Sequence, residues 1–237
     1  ALPLTLALML IFGQLAISLV APGTNLSVGH EMRIYRIAIA ATGEYTTHHG
    51  GQAQALSAIQ ATVAKVNEIY EKEFAIRFQL VSGTNVIFTN PATDGYSSGN
   101  TGAMRGENQT VLDATLGSSF YDIGHAFDQV GVASGQAGAG QASVGVVGKS
   151  GSKAQGATYH SHPDPTSEGF IELLLHEIGH QFGARHSFNS NSHGSCATPN
   201  QYAPGSAYEP ASGTTLMSYA GICDDVSGDD NLQNDGD

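Results

Sequence analysis

Three residues with chemically active side chains lie together in the segment FIELLLHEIGHQFG: His176, Glu177 and His180. Apolar residues recur in this segment at steps of three and four, which predicts a helix. Positions four apart lie one above the other on a helix, so both imidazoles can bind the same metal ion. Glu177 is the residue after His176, so its side chain is turned away from the line of the two imidazoles. It is still within reach of a water molecule on that ion. The pattern predicts a zinc site with a carboxylate as general base.

His186 is the expected third ligand, although a straight helix would not bring it to the ion. At roughly 1.5 Å per residue it would lie about 9 Å beyond His180 along the axis. Gly183 lies between them, and glycine adopts the left-handed conformation that ends a helix and turns the chain back. Three neutral imidazoles suit zinc. We therefore expect one zinc ion on His176, His180 and His186.

These groups are suited to hydrolysis. Zinc lowers the pKa of a bound water toward about 7, and Glu177 would take a proton from that water and deliver it to the leaving amine. Two alternatives stay open: a non-catalytic zinc-containing module that binds a protein partner in the same cleft, and a zinc hydrolase that acts on something other than peptides. The presence of Glu177 argues against the binding module.

The other histidines have no comparable spacing, and we predict no role for His30, His48, His49, His125, His160, His162 and His193. The run from His160 to His162 has the composition of a second metal site, but solvated loop histidines are the preferred explanation. Candidate calcium ligands lie near the C-terminus, where they match no EF-hand register and are expected to be solvated: Asp224, Asp225, Asp229 and Asp230.

The chain before the motif contains the elements that must support it. Residues Arg33–Ala41 are apolar and β-branched, which predicts a buried strand. Residues Gln52–Glu73 carry apolar side chains on one helical face, and alternation over Phe74–Leu80 predicts a second strand that Asn85–Thr89 continues. A strand, a helix and a strand in succession imply a crossover connection.

The middle of the chain is rich in small and polar residues. Residues Asn90–Asn108 predict a surface loop followed by a short helix, and Phe120–Phe127 predicts a strand. The Gly- and Ala-rich stretch Ser134–Gly148 contains glycines of the kind that let another backbone approach a strand closely. A phosphate-binding loop is not indicated, because the spacing is not G-x-G-x-x-G.

Composition and charge narrow the class of protein. The 237 residues carry a net charge of −12, and their nine Lys and Arg are scattered, so nucleic acid is not an expected partner. Hydrophobic residues make up 41% of the chain, which predicts a globular protein. We expect one catalytic domain over residues 30–237, with the chain ending before a closing element.

The first charged residue is Glu31, and residues 1–22 form an apolar leader. A cleaved signal peptide is the preferred interpretation, with a membrane anchor and a buried segment of the fold as alternatives. Contact with a membrane is expected only if the leader is uncleaved. Cys196 and Cys223 are then expected to form a disulfide, because paired cysteines in exported proteins are usually bridged. The sequence predicts a secreted monomer.

The string H-E-x-x-H-x-x-G-x-x-H at His176–His186 resembles the signature of the metzincin zinc endopeptidases, in which a methionine-containing turn follows the motif. Met217 in TLMSYAGIC fits that turn, and the resemblance implies that it forms a hydrophobic floor under the three imidazoles rather than a ligand. The stretches ATGEYT and YEPASGTTLMSYAGIC look like the bacterial reprolysin-like, adamalysin-related branch, and the resemblance runs from Arg33 to Gln233. Ser187 departs from it, since animal reprolysins usually carry Asp after the third histidine.

The resemblance implies an α+β catalytic domain with a mixed twisted sheet, two main helices and a loop-rich lower subdomain that the Met217 turn closes. It also implies protein or peptide substrates, held as an added strand along a sheet edge. Our candidate edge is Ser134–Ala142, with Gly138 and Gly140 in contact with substrate. Tyr219 would ligate zinc or donate a hydrogen bond to the oxyanion, with packing in the turn as the alternative.

Overall fold

The computed structural model describes residues 31–131, 137–191 and 194–223. Within these ranges the chain forms five strands and four α-helices. In chain order they are β1 (Arg33–Ala41), α1 (Gly43–His48), α2 (Gln52–Phe74), β2 (Ile76–Leu80), α3 (Thr101–Thr115), β3 (Ile123–Gln129), β4 (Gly138–Ala142), β5 (Gly156–His160) and α4 (Glu168–Phe182). None of the helices in the described part of the chain is long and apolar enough to cross a membrane.

The five strands form one sheet in the order β2-β1-β3-β5-β4. Four strands are parallel, and β4 alone runs antiparallel, against β5. β1 and β2 are neighbours joined through α2, as a crossover requires. The predicted α+β class and mixed sheet are confirmed. The sheet ends at β4, whose other side no strand covers in the described residues.

Helices cover both faces of the sheet. The alternating side chains of β1 divide between them: Ile37 and Ile39 pack with α2 and α4, whereas Ala38 and Ala40 face α3. α4 buries Phe170, Leu174, Leu175 and Ile178 on its sheet-facing side. Burial of this apolar stripe fixes the rotation of α4 about its own axis, and so decides which way the polar residues of the motif point.

β1 has the predicted bounds, and α2 extends one residue beyond the predicted end at Glu73. The predicted start of the second strand at Phe74 is wrong. Phe74 is the last residue of α2, with half its surface exposed, because Ala75 in the left-handed conformation ends the helix there. Residues Asn85–Thr89 do not continue the strand: Thr84–Val86 is a 3-10 turn, and Ile87 makes a single bridge to Ala41.

The middle of the chain differs most from expectation. Part of the predicted loop Asn90–Asn108 belongs to α3, a helix of 15 residues, so the described fold has three long helices rather than two. Its buried face includes Asn108 and Gln109, whose side chains bond the backbone of Ala154. The predicted strand Phe120–Phe127 begins later, at Ile123, and β5 was not predicted.

Phe127→Ala is expected to lower the free energy of unfolding by about 3–5 kcal/mol, because it empties a fully buried site in the central strand. The Phe127 ring packs 5.3 Å from that of Phe170 on α4, centre to centre. Denaturant titration measures the change. Phe120→Ala is the matched control, since its ring is 62% exposed, and should change stability by less than about 0.5 kcal/mol. Equal losses in the two variants would contradict this core.

Candidate metal centre

The motif helix α4 ends where the sequence predicts. Gly183 has φ of 112°, which is the left-handed conformation, and the Ala184 N–H donates to the Gly179 carbonyl to close the turn. The chain then folds back toward the helix. The carbonyls of His180 and Gln181 also accept N–H groups from Gly145 and Val146, so the segment after β4 holds the helix end in place.

Three imidazoles converge at this point. The Nε2 atom of His186 lies 3.1 Å from that of His180 and 3.2 Å from that of His176. All three residues are at least nine-tenths buried. The metal ligands predicted from sequence are therefore brought together with one nitrogen of each ring facing a common centre.

The other nitrogen of each ring identifies the tautomer. Nδ1 of His176, His180 and His186 lies 2.7, 2.8 and 2.6 Å from a backbone carbonyl oxygen, in Leu216, Ala184 and Gln201 respectively. A carbonyl only accepts, so each Nδ1 carries the hydrogen and each Nε2 presents a lone pair. Three lone pairs about 3 Å apart repel one another unless a cation lies between them. The donor set thus fits a zinc ion.

Burial keeps the three rings neutral, as metal ligands must be. It lowers the pKa of His176 to about 3 and that of His186 to about 4, with smaller effects from neighbouring imidazoles, and it also lowers the pKa of His180. The three rings are therefore unprotonated at pH 7, and protonation does not remove the repulsion between their Nε2 lone pairs.

Glu177 lies beside the three imidazoles and is 5% exposed. Burial raises the pKa of its carboxyl to about 8, while Arg105 and a hydrogen bond from the backbone of Ala142 oppose that rise. Its Oε2 atom is buried without a hydrogen-bond partner among the described residues. A buried carboxylate oxygen with no partner is costly unless a proton or a ligand completes it. The carboxyl is thus suited to exchange a proton within the cleft.

A cleft of roughly 530 Å³ runs past these residues. Its walls include β4, the first turns of α4 and the segment from Thr215 to Ile222. The backbone at Gly140 lies so close to Glu177 that an added Cβ would be 2.4 Å from the Glu177 Cγ. Only glycine fits this position without displacing the carboxylate. A bulky residue there would therefore change Glu177 as well as the cleft wall.

β4 presents backbone groups to the cleft. The Ala137 carbonyl accepts from the Ser161 N–H and the Ser143 N–H donates to the Gln155 carbonyl, so odd-numbered positions bond β5. Hydrogen-bonded and non-bonded pairs alternate in an antiparallel ladder. The N–H and C=O groups of Gly138 and Gly140 therefore face the outer edge. Residues 134–136 of the candidate edge lie outside the described residues.

Met217 lies in a turn next to the motif helix. The Ser218 N–H donates to the Thr215 carbonyl, which places Leu216 and Met217 at the corner. The Met217 sulfur packs against Gly179, where an added Cβ would be 2.6 Å away. The same turn supplies the Leu216 carbonyl that orients His176. The role of Met217 as a floor beneath the imidazoles stays a prediction.

The Tyr219 ring packs on the imidazole of His186, with centres 4.6 Å apart, and its hydroxyl donates to Oε1 of Gln201 at 2.8 Å. Burial and the nearby Glu177 raise the pKa of Tyr219, so the hydroxyl keeps its proton. Gln201 was not predicted. Its backbone carbonyl orients His186 while its side chain holds Tyr219, and no local sequence pattern marks such a residue.

The predicted disulfide is present: Cys196 and Cys223 are bonded, with their Cα atoms 5.2 Å apart. It joins the 3-10 turn Gly194–Ala197 to the chain just after Tyr219, and the bridge packs against Phe188. The cysteines thus fasten together two segments of the cleft wall. His160 lines the cleft, but neither it nor His162 joins the three imidazoles. The candidate calcium ligands lie outside the described residues.

Comparison with known proteins agrees with this geometry. The model of a family described as metallo-peptidase family M12B, reprolysin-like, matches residues 31–233. The match therefore includes all of the described residues. No curated protein matches the chain.

A hydrogen-bond network behind the motif helix was missed by sequence reasoning. His125 in β3 is fully buried, with Nδ1 3.0 Å from Oε1 of Gln181 and Nε2 2.8 Å from the hydroxyl of Thr158. Gln181 also donates to the Gly124 carbonyl. The network joins the last turn of α4 to two strands. The sequence shows only that these residues are polar. It does not show that they are hydrogen-bonded, because the partners are 56 and 33 positions from His125.

Acid should destabilise the protein through His125. Burial lowers the pKa of this imidazole to about 4, below its value of about 6.5 in an unfolded chain. The unfolded chain therefore binds a proton that the folded chain does not, so stability falls as pH drops from about 6.5 to 4. The loss approaches roughly 3 kcal/mol.

His125→Gln should flatten this dependence, as measured by the free energy of unfolding at pH 7 and pH 4.5. The other buried imidazoles of the described residues, His176, His180 and His186, titrate in both proteins, so the difference isolates His125. Identical pH dependence in variant and parent would contradict the prediction.

Proposed function

The chain belongs to the reprolysin-like metallopeptidases of family M12B, and on this basis we propose that it is a zinc-dependent endopeptidase that cleaves proteins or peptides. The observation that carries the proposal is the convergence of three Nε2 lone pairs beside a buried carboxylate. His176, His180 and His186 are the proposed zinc ligands. Zinc bound there would supply Lewis acidity toward water and toward the peptide carbonyl.

Glu177 is the proposed general base. Its buried oxygen has no partner in the described residues, and its raised pKa puts proton uptake and release near neutral pH. It would accept a proton from the attacking water and pass it to the nitrogen of the leaving amine. Arg105 favours the charged form that is needed for the first of these transfers.

The outer edge of β4 is the proposed docking edge for substrate. The outward backbone groups of Gly138 and Gly140 can pair with an extended peptide, as one more strand of the sheet. The scissile carbonyl would then lie near Glu177, since Gly140 contacts that side chain. The absence of side chains at both positions lets a second backbone approach closely.

Tyr219 is proposed to stabilise the oxyanion that forms in the cleft. Its hydroxyl is protonated, so it can donate to an oxyanion if it leaves Gln201, and packing on His186 is the alternative role. We also propose that the protein acts outside the cell as a monomer. The disulfide supports export, because such bonds persist in oxidising compartments.

Glu177→Gln should lower kcat on casein or a quenched peptide by about 10²- to 10⁴-fold, because the base is lost while the zinc ligands stay. Bound zinc, measured by mass spectrometry, should be unchanged. Glu168→Gln is the matched control on the same helix, where the side chain is exposed, and it should keep activity.

A chelator should abolish cleavage by the parent, and zinc should restore it. Folded, zinc-loaded protein that cleaves no peptide would favour the non-catalytic binding module instead. Turnover of an ester or amide other than a peptide would favour the other alternative, a zinc hydrolase that acts on something other than peptides.

Substrates methylated on backbone nitrogens should test the docking edge. Methylation at nitrogens that face β4 should raise KM by about 3- to 10-fold for each hydrogen bond lost, whereas methylation of the intervening nitrogens should not. The expected signature is an effect with a period of two residues. A uniform effect along the peptide would contradict binding as an added strand. Gly140→Ala is a poorer test, because it also displaces Glu177.

A further inference from the structure

A second group of metal-binding side chains lies away from the three imidazoles. It consists of His48, His49 and Asp164, each of which offers a ligand atom within 4.8 Å of the others. His48 is the last residue of α1 and His49 follows it, whereas Asp164 lies in the segment that leads into α4. The fold thus brings together residues more than 100 positions apart in sequence.

The distances within this cluster match the spacing of ligands around a metal ion. His48 Nε2 is 3.4 Å from Oδ2 of Asp164, and His49 Nδ1 is 3.8 Å from Oδ1. Charge-assisted hydrogen bonds are about 2.7–2.9 Å long, so both contacts are too long for good ones. Ligands about 2.0–2.1 Å from a tetrahedral zinc lie roughly 3.4 Å from one another. The cluster is nearer to that spacing.

The surroundings of the cluster suit a bound ion. The His49 side chain is 9% exposed and packs on the Tyr45 ring with centres 4.4 Å apart, which restricts its orientation. The side chains of His48 and Asp164 are 24% and 38% exposed, so an ion can enter from solvent and keep water as a further ligand.

We propose that His48, His49 and Asp164 form a second divalent metal site, separate from the centre at the motif helix. Two imidazoles and one carboxylate select borderline transition metals, zinc first, over calcium and magnesium. The bound ion would join the end of α1 to the segment before α4. It would therefore restrain the entry to the motif helix from the end opposite Gly183, without contributing a ligand to the cleft.

Metal stoichiometry tests the proposal. Full-length protein carrying Glu177→Gln, which keeps every ligand and prevents self-digestion, is dialysed against buffered zinc, and bound metal is counted by mass spectrometry. Two zinc ions per chain are expected. Asp164→Asn should reduce the count to one, and His48→Gln should do the same. Glu68→Gln, which also removes one carboxylate from an exposed ion pair, should leave two.

A further variant separates the two sites. His186→Gln should lose the zinc of the motif helix and keep the zinc at His48, His49 and Asp164. Loss of the proposed function and failure of this second site therefore give different zinc counts. Zinc should also slow amide exchange around residues 43–50 and 161–168 in His186→Gln, and should not do so once Asp164→Asn is added. No zinc in folded His186→Gln, or two zinc ions in folded Asp164→Asn and His48→Gln, would overturn the second site.

Discussion

The mutual repulsion of three imidazole lone pairs is the constraint on which the segments around the cleft depend. Each ring is oriented by a backbone carbonyl from a different segment: Leu216 in the Met217 turn, Ala184 just after α4, and Gln201 in the long connection. The orientation of each imidazole therefore depends on the position of the segment that supplies its carbonyl. A cation at the centre would offset the repulsion and stabilise these segments together, so metal binding and folding of this region are coupled.

The proposed catalytic residues come from two parts of the chain with different local structure. α4 brings His176, Glu177 and His180 to the cleft and is fixed by its apolar face and by the His125–Gln181 network. His186, Tyr219 and the disulfide belong to irregular chain that has little regular secondary structure of its own. The rigid part carries the proposed base, and the irregular part completes the proposed ligand set.

Local patterns in the sequence were sufficient for the parts that depend on short spacings. The H-E-x-x-H string, the glycine after it, β1 and α2 were predicted closely, because helical and strand periodicity are set by neighbours along the chain. The short helix predicted after Asn108 begins earlier and is longer, as α3, because Asn108 and Gln109 occupy its buried face and hide the apolar period. Their partners at Ala154 are about 45 positions away, so only the tertiary fold explains them. The same holds for Gln201 and for the approach of Gly140 to Glu177.

The glycine-bearing outer edge of β4 has a consequence for what the cleft can discriminate. If a substrate pairs with this edge, the main-chain groups of Gly138 and Gly140 bind the backbone that every polypeptide shares, so the edge would select for backbone conformation and not for residue type. An extended, unfolded stretch fits it, whereas a helix does not. Selectivity among extended chains must then come from the walls around the cleft, and folded proteins would be protected wherever their backbone is already paired.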